Sequence, residues 1–278
     1  MLATTPVTLT LVLTALLYMR GWNHLRSAVP KVIPVWRAAA FLGGLLTIWI
    51  AAVSPFAMLD QELLTVHMVQ HLLLMTAAAP LILVGFPILP LVHGLPKLVT
   101  FGAWGTFVRV RLLQRIGGVL ANPVFCWLAS TSILIGWHVP AAFALGLGSE
   151  SWHRVEHASF LVAGLLFWRP VISSGPSGPH PRWSMVLYLF LATLPCDALS
   201  AFLAFCGRVV YPSYLAEPRR FDISALKDQE CAGALMWIWV TFAYLIPAVA
   251  ITIRLLSGPE LSEEPSGPAT PAKLRAGA

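Results

Sequence analysis

The sequence predicts an all-α membrane protein, a polytopic bundle of about seven transmembrane helices with its N-terminus outside and its C-terminus inside. Three observations predict it. Of the 278 residues, 58% are hydrophobic and only 11% charged, whereas a soluble domain carries about 25% charged residues. Apolar stretches recur over residues 3–19, 36–57, 62–85, 118–138, 152–171, 183–206 and 228–256, each near the roughly 20 residues that a helix needs to cross a bilayer core. Lys and Arg are distributed unevenly between the connecting segments, in the way that fixes orientation. This composition excludes a soluble globular enzyme.

The elements follow in order. No basic residue precedes the first stretch, while Arg20, Arg26, Lys31 and Arg37 follow it. A cleaved signal peptide has the reverse order, so this stretch reads as a retained first span. The third stretch runs into a Pro- and Gly-rich segment, Gly85 to Gly118, with Pro87, Pro90 and Pro96 and then Arg109, Arg111 and Arg115. Its apolar start reads as a short re-entrant or interfacial piece. The segments after the first, third and fifth stretches and the C-terminal tail hold thirteen of the eighteen Lys and Arg; those after the second and fourth hold none. By the positive-inside rule the richer side is cytoplasmic. Six or eight spans would put a basic cluster on the wrong side. Residues 1–256 then form one transmembrane domain, and 257–278, with Pro259, Glu263, Glu264, Pro265 and Pro271, a flexible cytoplasmic tail.

The formal charge of +6 does not point to nucleic acid, because a nucleic-acid binder gathers its basic residues on one exposed face. Cys126, Cys196, Cys206 and Cys231 lie far apart without a CxxC pair, which argues against a disulfide framework.

Polar groups inside a span need a reason, since a charge at the bilayer centre costs roughly 2.5 to 3.5 kcal/mol on insertion scales. Two HxxxH segments stand out: His67-Met68-Val69-Gln70-His71 in the third stretch and His153-Arg154-Val155-Glu156-His157 in the fifth. On a helix, positions i and i+4 share a face, so both imidazoles of a pair can point at one ion. The orientation puts both pairs in the outer half of the membrane, together with His138, which ends the fourth span at Trp137-His138-Val139-Pro140. Asp197, Asp228, Cys231 and Met236 fall near that layer. Set against this, a lone intramembrane histidine is more often a packing residue, and Met68, Met75 and Met236 read as lipid-facing or gap-filling. Asp228 also suits the N-terminal dipole of its own helix. His24, His93 and His180 fall in cytoplasmic loops.

Imidazole suits zinc, copper, iron and nickel; thioether or thiolate neighbours favour Cu(I), and carboxylates favour zinc or a dinuclear centre. Haem would need axial histidines from two helices, because two residues four apart on one helix cannot reach opposite faces of a ring.

At these residues the sequence resembles the CtaG-type family of bacterial cytochrome c oxidase assembly proteins, associated with caa-class oxidases. The resemblance rests on His67 to Leu74 leading to Ala79-Pro80-Leu81, on Trp137-His138-Val139-Pro140, on His153 to Phe160 with Gly164 and Phe167-Trp168, and on Asp228-Gln229, Ala232-Gly233 and Met236-Trp237. It implies a multi-pass protein of the bacterial inner membrane that assists maturation of the haem–copper oxidase, with copper delivery as the usual proposal and the oxidase subunits as transient partners. Carried over, the motif residues fall on His67, His71, His138, His153 and His157, with Asp228 as an acidic neighbour. The oxidase copper centres lie toward the outer face, the same level as these histidines. The segment from Leu203 to Arg220 carries no string of the family.

The leading expectation is therefore a non-enzymatic assembly factor that handles copper. The alternatives are an intramembrane zinc hydrolase, using Asp197, Asp228 or Glu156 to move protons, a haem- or quinone-associated carrier, and a structural scaffold.

Overall fold

A computed structural model describes residues 5–28, 34–95, 117–173, 182–216 and 222–257, and among these the chain is all-helical, with no strand. The helices are α1 (Thr5–Ala28), α2 (Val35–Ala52), α3 (Leu64–Val84), α4 (Ile88–Gly94), α5 (Pro123–His138), α6 (Pro140–Gly148), α7 (Glu150–Ser173), α8 (Arg182–Phe205), α9 (Ser213–Ala216) and α10 (Ala225–Leu256), with a 3-10 turn at Pro55–Leu59.

Against the seven spans expected, five helices are long and apolar enough to cross a membrane: α2 with its 3-10 extension, α3, α7, α8 and α10. The pair α5 and α6, bent by 75° between Pro123–His138 and Pro140–Gly148, makes a sixth when counted as one span. The first predicted stretch is a helix of 24 residues, about 36 Å long at 1.5 Å per residue. Its threonines dilute its hydropathy; the Thr10 and Thr14 hydroxyls donate back to the Pro6 and Thr10 carbonyls, each at 2.8 Å.

The distribution of side chains is that of a protein in lipid. Along α10, Ile238, Phe242, Leu245, Ile246, Val249 and Ile253 are exposed, while His67, Gln70, Glu156, Ser200 and Asp228 are buried. Water would penalise the first set and favour exposing the second. In lipid both preferences reverse, and polar groups turn to the bundle interior.

The two largest packed regions hold the bundle. On one side, Tyr18 and Trp22 of α1 pack with Phe41 and Leu45 of α2; Tyr18 stacks on Phe41 at 4.0 Å and its hydroxyl donates to the Gly85 carbonyl at 2.8 Å. The apolar start of the 85–118 segment is the short helix α4, which packs on α1; residues 96–116, with Arg109, Arg111 and Arg115, lie outside the described residues, as does the predicted tail from residue 258. On the other side, α3, α7, α8 and α10 enclose Met68, Phe167, Trp168, Tyr188, Met236 and Tyr244.

The centre of α3 is irregular. Residues Leu73–Ala78 form a π turn, and Ala79 N–H donates to the Leu74 carbonyl, five residues back. The next residue, Pro80, has no N–H to offer the preceding turn. The Met75 carbonyl, released from its usual i+4 partner, accepts instead from the indole N–H of Trp168 on α7 at 2.9 Å. Gly164, one turn before Trp168, makes that approach possible: a Cβ there would lie 2.6 Å from the Met75 oxygen.

Candidate metal centre

The first two turns of α3 and α7 face each other at one end of the bundle. Leu64–Leu72 is regular α-helix, so His67 and His71 lie on one face, and α7 places His153, Glu156 and His157 opposite them. Four imidazoles meet there. Ring centres are 4.4 Å apart for His67 and His71, 5.5 Å for His67 and His153, 4.2 Å for His153 and His157, and 5.6 Å for His71 and His157.

Two carboxylates enter this cluster. Glu156 Oε1 lies 3.4 Å from His67 Nε2 and 3.5 Å from His71 Nε2. Asp60, at the end of the 3-10 turn, brings Oδ2 to 3.3 Å from His153 Nε2. Two sets of three ligand atoms result, Asp60–His67–His153 and His67–His71–Glu156, each within 4.8 Å of one another and sharing His67. Two atoms each about 2.0–2.1 Å from a tetrahedral ion stand about 3.3 Å apart, so these contacts have the spacing of a ligand set. Several buried atoms of these side chains also lack any hydrogen-bond partner: Nδ1 of His67 and His71, Nε2 of His157 and Oε2 of Glu156. Such atoms cost free energy unless something satisfies them. The donor set and its orphaned atoms fit a metal ion.

His138 stands apart from the four rings, on the other side of Phe160, which stacks on His71 at 4.0 Å and lies 6.4 Å from His138. Its Nδ1–H donates to the Leu134 carbonyl at 2.7 Å, because a carbonyl can only accept. That bond leaves a lone pair on Nε2, which is buried without a partner.

Asp228 is engaged elsewhere. Its Oδ2 accepts from Leu64 N–H at 2.7 Å and its Oδ1 from Thr65 N–H at 3.1 Å and the Thr65 hydroxyl at 2.6 Å, so it caps the N-terminus of α3 and orients the helix that carries His67 and His71. Arg154 pairs with Glu150 at 3.6 Å on the exposed face and leaves Glu156 to the imidazoles. Asp197 and Cys231 join neither ligand set among the described residues, and Met68, Met75 and Met236 are buried, contrary to a lipid-facing role.

The bend at Val139-Pro140 folds α6 over the cluster. Phe143 packs on His67 with centroids 4.9 Å apart, and Gly146 sits so close to Glu156 that a Cβ would be 2.5 Å from Oε2. Sequence reasoning missed this cover, along with Asp60, Tyr211 and Tyr214. Tyr211 and Tyr214 donate to the carbonyls of His138 at 3.1 Å and Asp60 at 2.7 Å. Burial first, and then nearby carboxylates, push both phenols above their usual range, so they stay protonated donors. The acid between the second and third apolar stretches was the available signal for Asp60; the two tyrosines lie where no family string could be read.

Fold and site together define a helical membrane protein whose polar interior gathers imidazoles and carboxylates at one end of the bundle. The chain matches the cytochrome c oxidase caa3 assembly factor family, Caa3_CtaG, over residues 16–257 and belongs to that family. No curated protein and no solved structure matches it. The protein is accordingly an oxidase assembly factor of the membrane, and neither the hydrolase nor the haem alternative is favoured.

Proposed function

We propose that this assembly factor binds copper and delivers it to the oxidase through His67, His71, His153 and His157, with His138 and the carboxylates of Glu156 and Asp60 in support and Asp228 positioning α3. The observation that carries the reading is the spacing of 3.3 to 3.5 Å between ring nitrogens and carboxylate oxygens in two groups that share His67. Overlapping sets let an ion change ligands one at a time, which transfer between proteins requires and a closed thiolate cage opposes. Copper is the cargo of this reading, and the chain acts without covalent chemistry.

The same reading takes seven spans, with α1 as the first and α5 with α6 as the fourth, in a single domain over residues 1–256. The N-terminus lies outside and the tail inside a bacterial inner membrane, by the bias of Lys and Arg. The cluster then faces the outer side, toward the copper-bearing part of its transient oxidase partner.

The test is copper quantification on protein purified in mild detergent, wild type beside His71→Ala and His157→Ala. Copper should accompany the wild type, and the copper held by the imidazole cluster should be lost from both variants. Wild-type protein that holds no copper after exposure to Cu(I) or Cu(II) overturns the reading, and zinc retained in its place favours the hydrolase.

A further inference from the structure

Directly beneath the imidazole cluster a narrow cavity of about 20 Å³ runs between α3, α5, α7, α8 and α10, just large enough for one water or one ion. Its wall carries three thioethers and a thiol, Met68 and Met75 of α3, Met236 of α10 and Cys196 of α8, together with the imidazoles of His71 and His138. All six side chains are buried. Both imidazoles carry a buried nitrogen without a hydrogen-bond partner, His138 at Nε2 and His71 at Nδ1.

Two features separate this set from ordinary gap-filling methionines. The π turn at Leu73–Ala78 sets Met75 out of the regular helical register, and the bond from Trp168 to its carbonyl pins that turn; π turns recur at functional sites. No carboxylate lines the cavity. A neutral thioether and imidazole lining suits a soft monovalent ion, while a divalent ion there would carry roughly fourfold the desolvation cost, which scales with the square of charge.

We propose that this cavity is a second, soft metal site that binds Cu(I) through Met75, Met236 and His138, with Met68 and Cys196 within its wall and His71 linking it to the imidazole cluster. Its deeper thioether, Met75, stands about 6 Å further along α3 than His71, the rise of four residues. The proposal rests on the copper reading above and specifies the oxidation state and the inner position of a second equivalent. The ion stays Cu(I) throughout, so no electron is exchanged.

The experiment titrates the full chain in mild detergent, without oxygen, with Cu(I) buffered by a chromophoric chelator, and records copper X-ray absorption on the loaded protein. Met75→Leu/Met236→Leu conserves volume and apolarity, so it keeps the fold. The wild type should take up two equivalents with sulfur among the copper neighbours; the double variant should lose one equivalent and the sulfur signal while keeping the nitrogen-coordinated equivalent. His67→Ala should show the converse, losing the nitrogen-rich equivalent and keeping sulfur-coordinated copper. Copper with only nitrogen and oxygen neighbours in the wild type overturns the soft site and leaves the imidazole reading intact. Absence of any Cu(I) uptake overturns the soft site, and if Cu(II) is not taken up either, the imidazole reading falls with it.

Discussion

The carboxylate of Asp228 caps the N-terminus of α3 across 164 residues of sequence, accepting from Leu64 N–H at 2.7 Å while Oδ1 accepts from Thr65 N–H at 3.1 Å. An acid at the start of α10 thus satisfies the orphan donors of another helix and places its positive dipole end against a negative charge. Asp228→Ala should lower stability by about 2 kcal/mol, the scale of a lost N-cap with charged hydrogen bonds, read as a lower unfolding temperature of the purified protein. Asp228→Asn keeps an accepting oxygen and should retain copper at wild-type stoichiometry. Loss of copper in Asp228→Asn with an unchanged unfolding temperature would instead make Asp228 a ligand.

Glu156 has the opposite balance. It is fully buried, with Oε1 between two imidazoles and Oε2 unpaired, and a buried carboxylate without a cation is a net cost. Glu156→Gln is close to isosteric and removes that charge. The metal-free variant should be as stable as wild type or more so, by about 1 kcal/mol, while copper affinity falls by at least about tenfold. Parallel thermal unfolding and copper competition separate the two effects; wild-type affinity in the variant would remove Glu156 from the site.

Much of this was legible in sequence because helical periodicity is local. Apolar length marks the five long helices and the bent pair that can cross a membrane, and the i, i+4 spacing of His67 with His71 and of His153 with His157 puts each pair on one face without knowledge of the rest. What was illegible depends on which surfaces meet. Residues 140–148 read as a connection after the fourth span, yet the bend at Pro140 turns them into the cover of the site. Asp60, Tyr211 and Tyr214 reach it from loops and short turns, whose partners no periodicity predicts. Gln229 was visible only as part of a family string; its amide joins the carbonyls of Leu203 and Arg208 and the Val210 N–H, tying the 206–211 segment to α10.

The π turn of α3 depends on Trp168. With the indole removed in Trp168→Phe, the Met75 carbonyl keeps its burial but loses its donor, and an unsatisfied buried acceptor costs about 1–3 kcal/mol. The variant should unfold at lower temperature, with faster amide exchange over residues 73–79. Unchanged exchange there would mean that Pro80 alone maintains the turn.

Gly146 tests how closely α6 must cover the cluster. A Cβ at this position would come within 2.5 Å of Glu156 Oε2 and 3.3 Å of its Cδ, whereas one at Gly136 on α5 would meet nothing within 4 Å. The clash is with a side chain rather than a backbone, so Gly146→Ala should displace the carboxylate and leave the bundle standing. Copper affinity is expected to drop about tenfold, as for other disturbed ligand shells, with little change in unfolding temperature. Gly136→Ala supplies the control: it gains helix propensity, up to about 1 kcal/mol, and should bind copper as the wild type does. Equal affinities in the two variants would show that Glu156 can leave its place between His67 and His71 without consequence, and the ligand set would then reduce to the imidazoles.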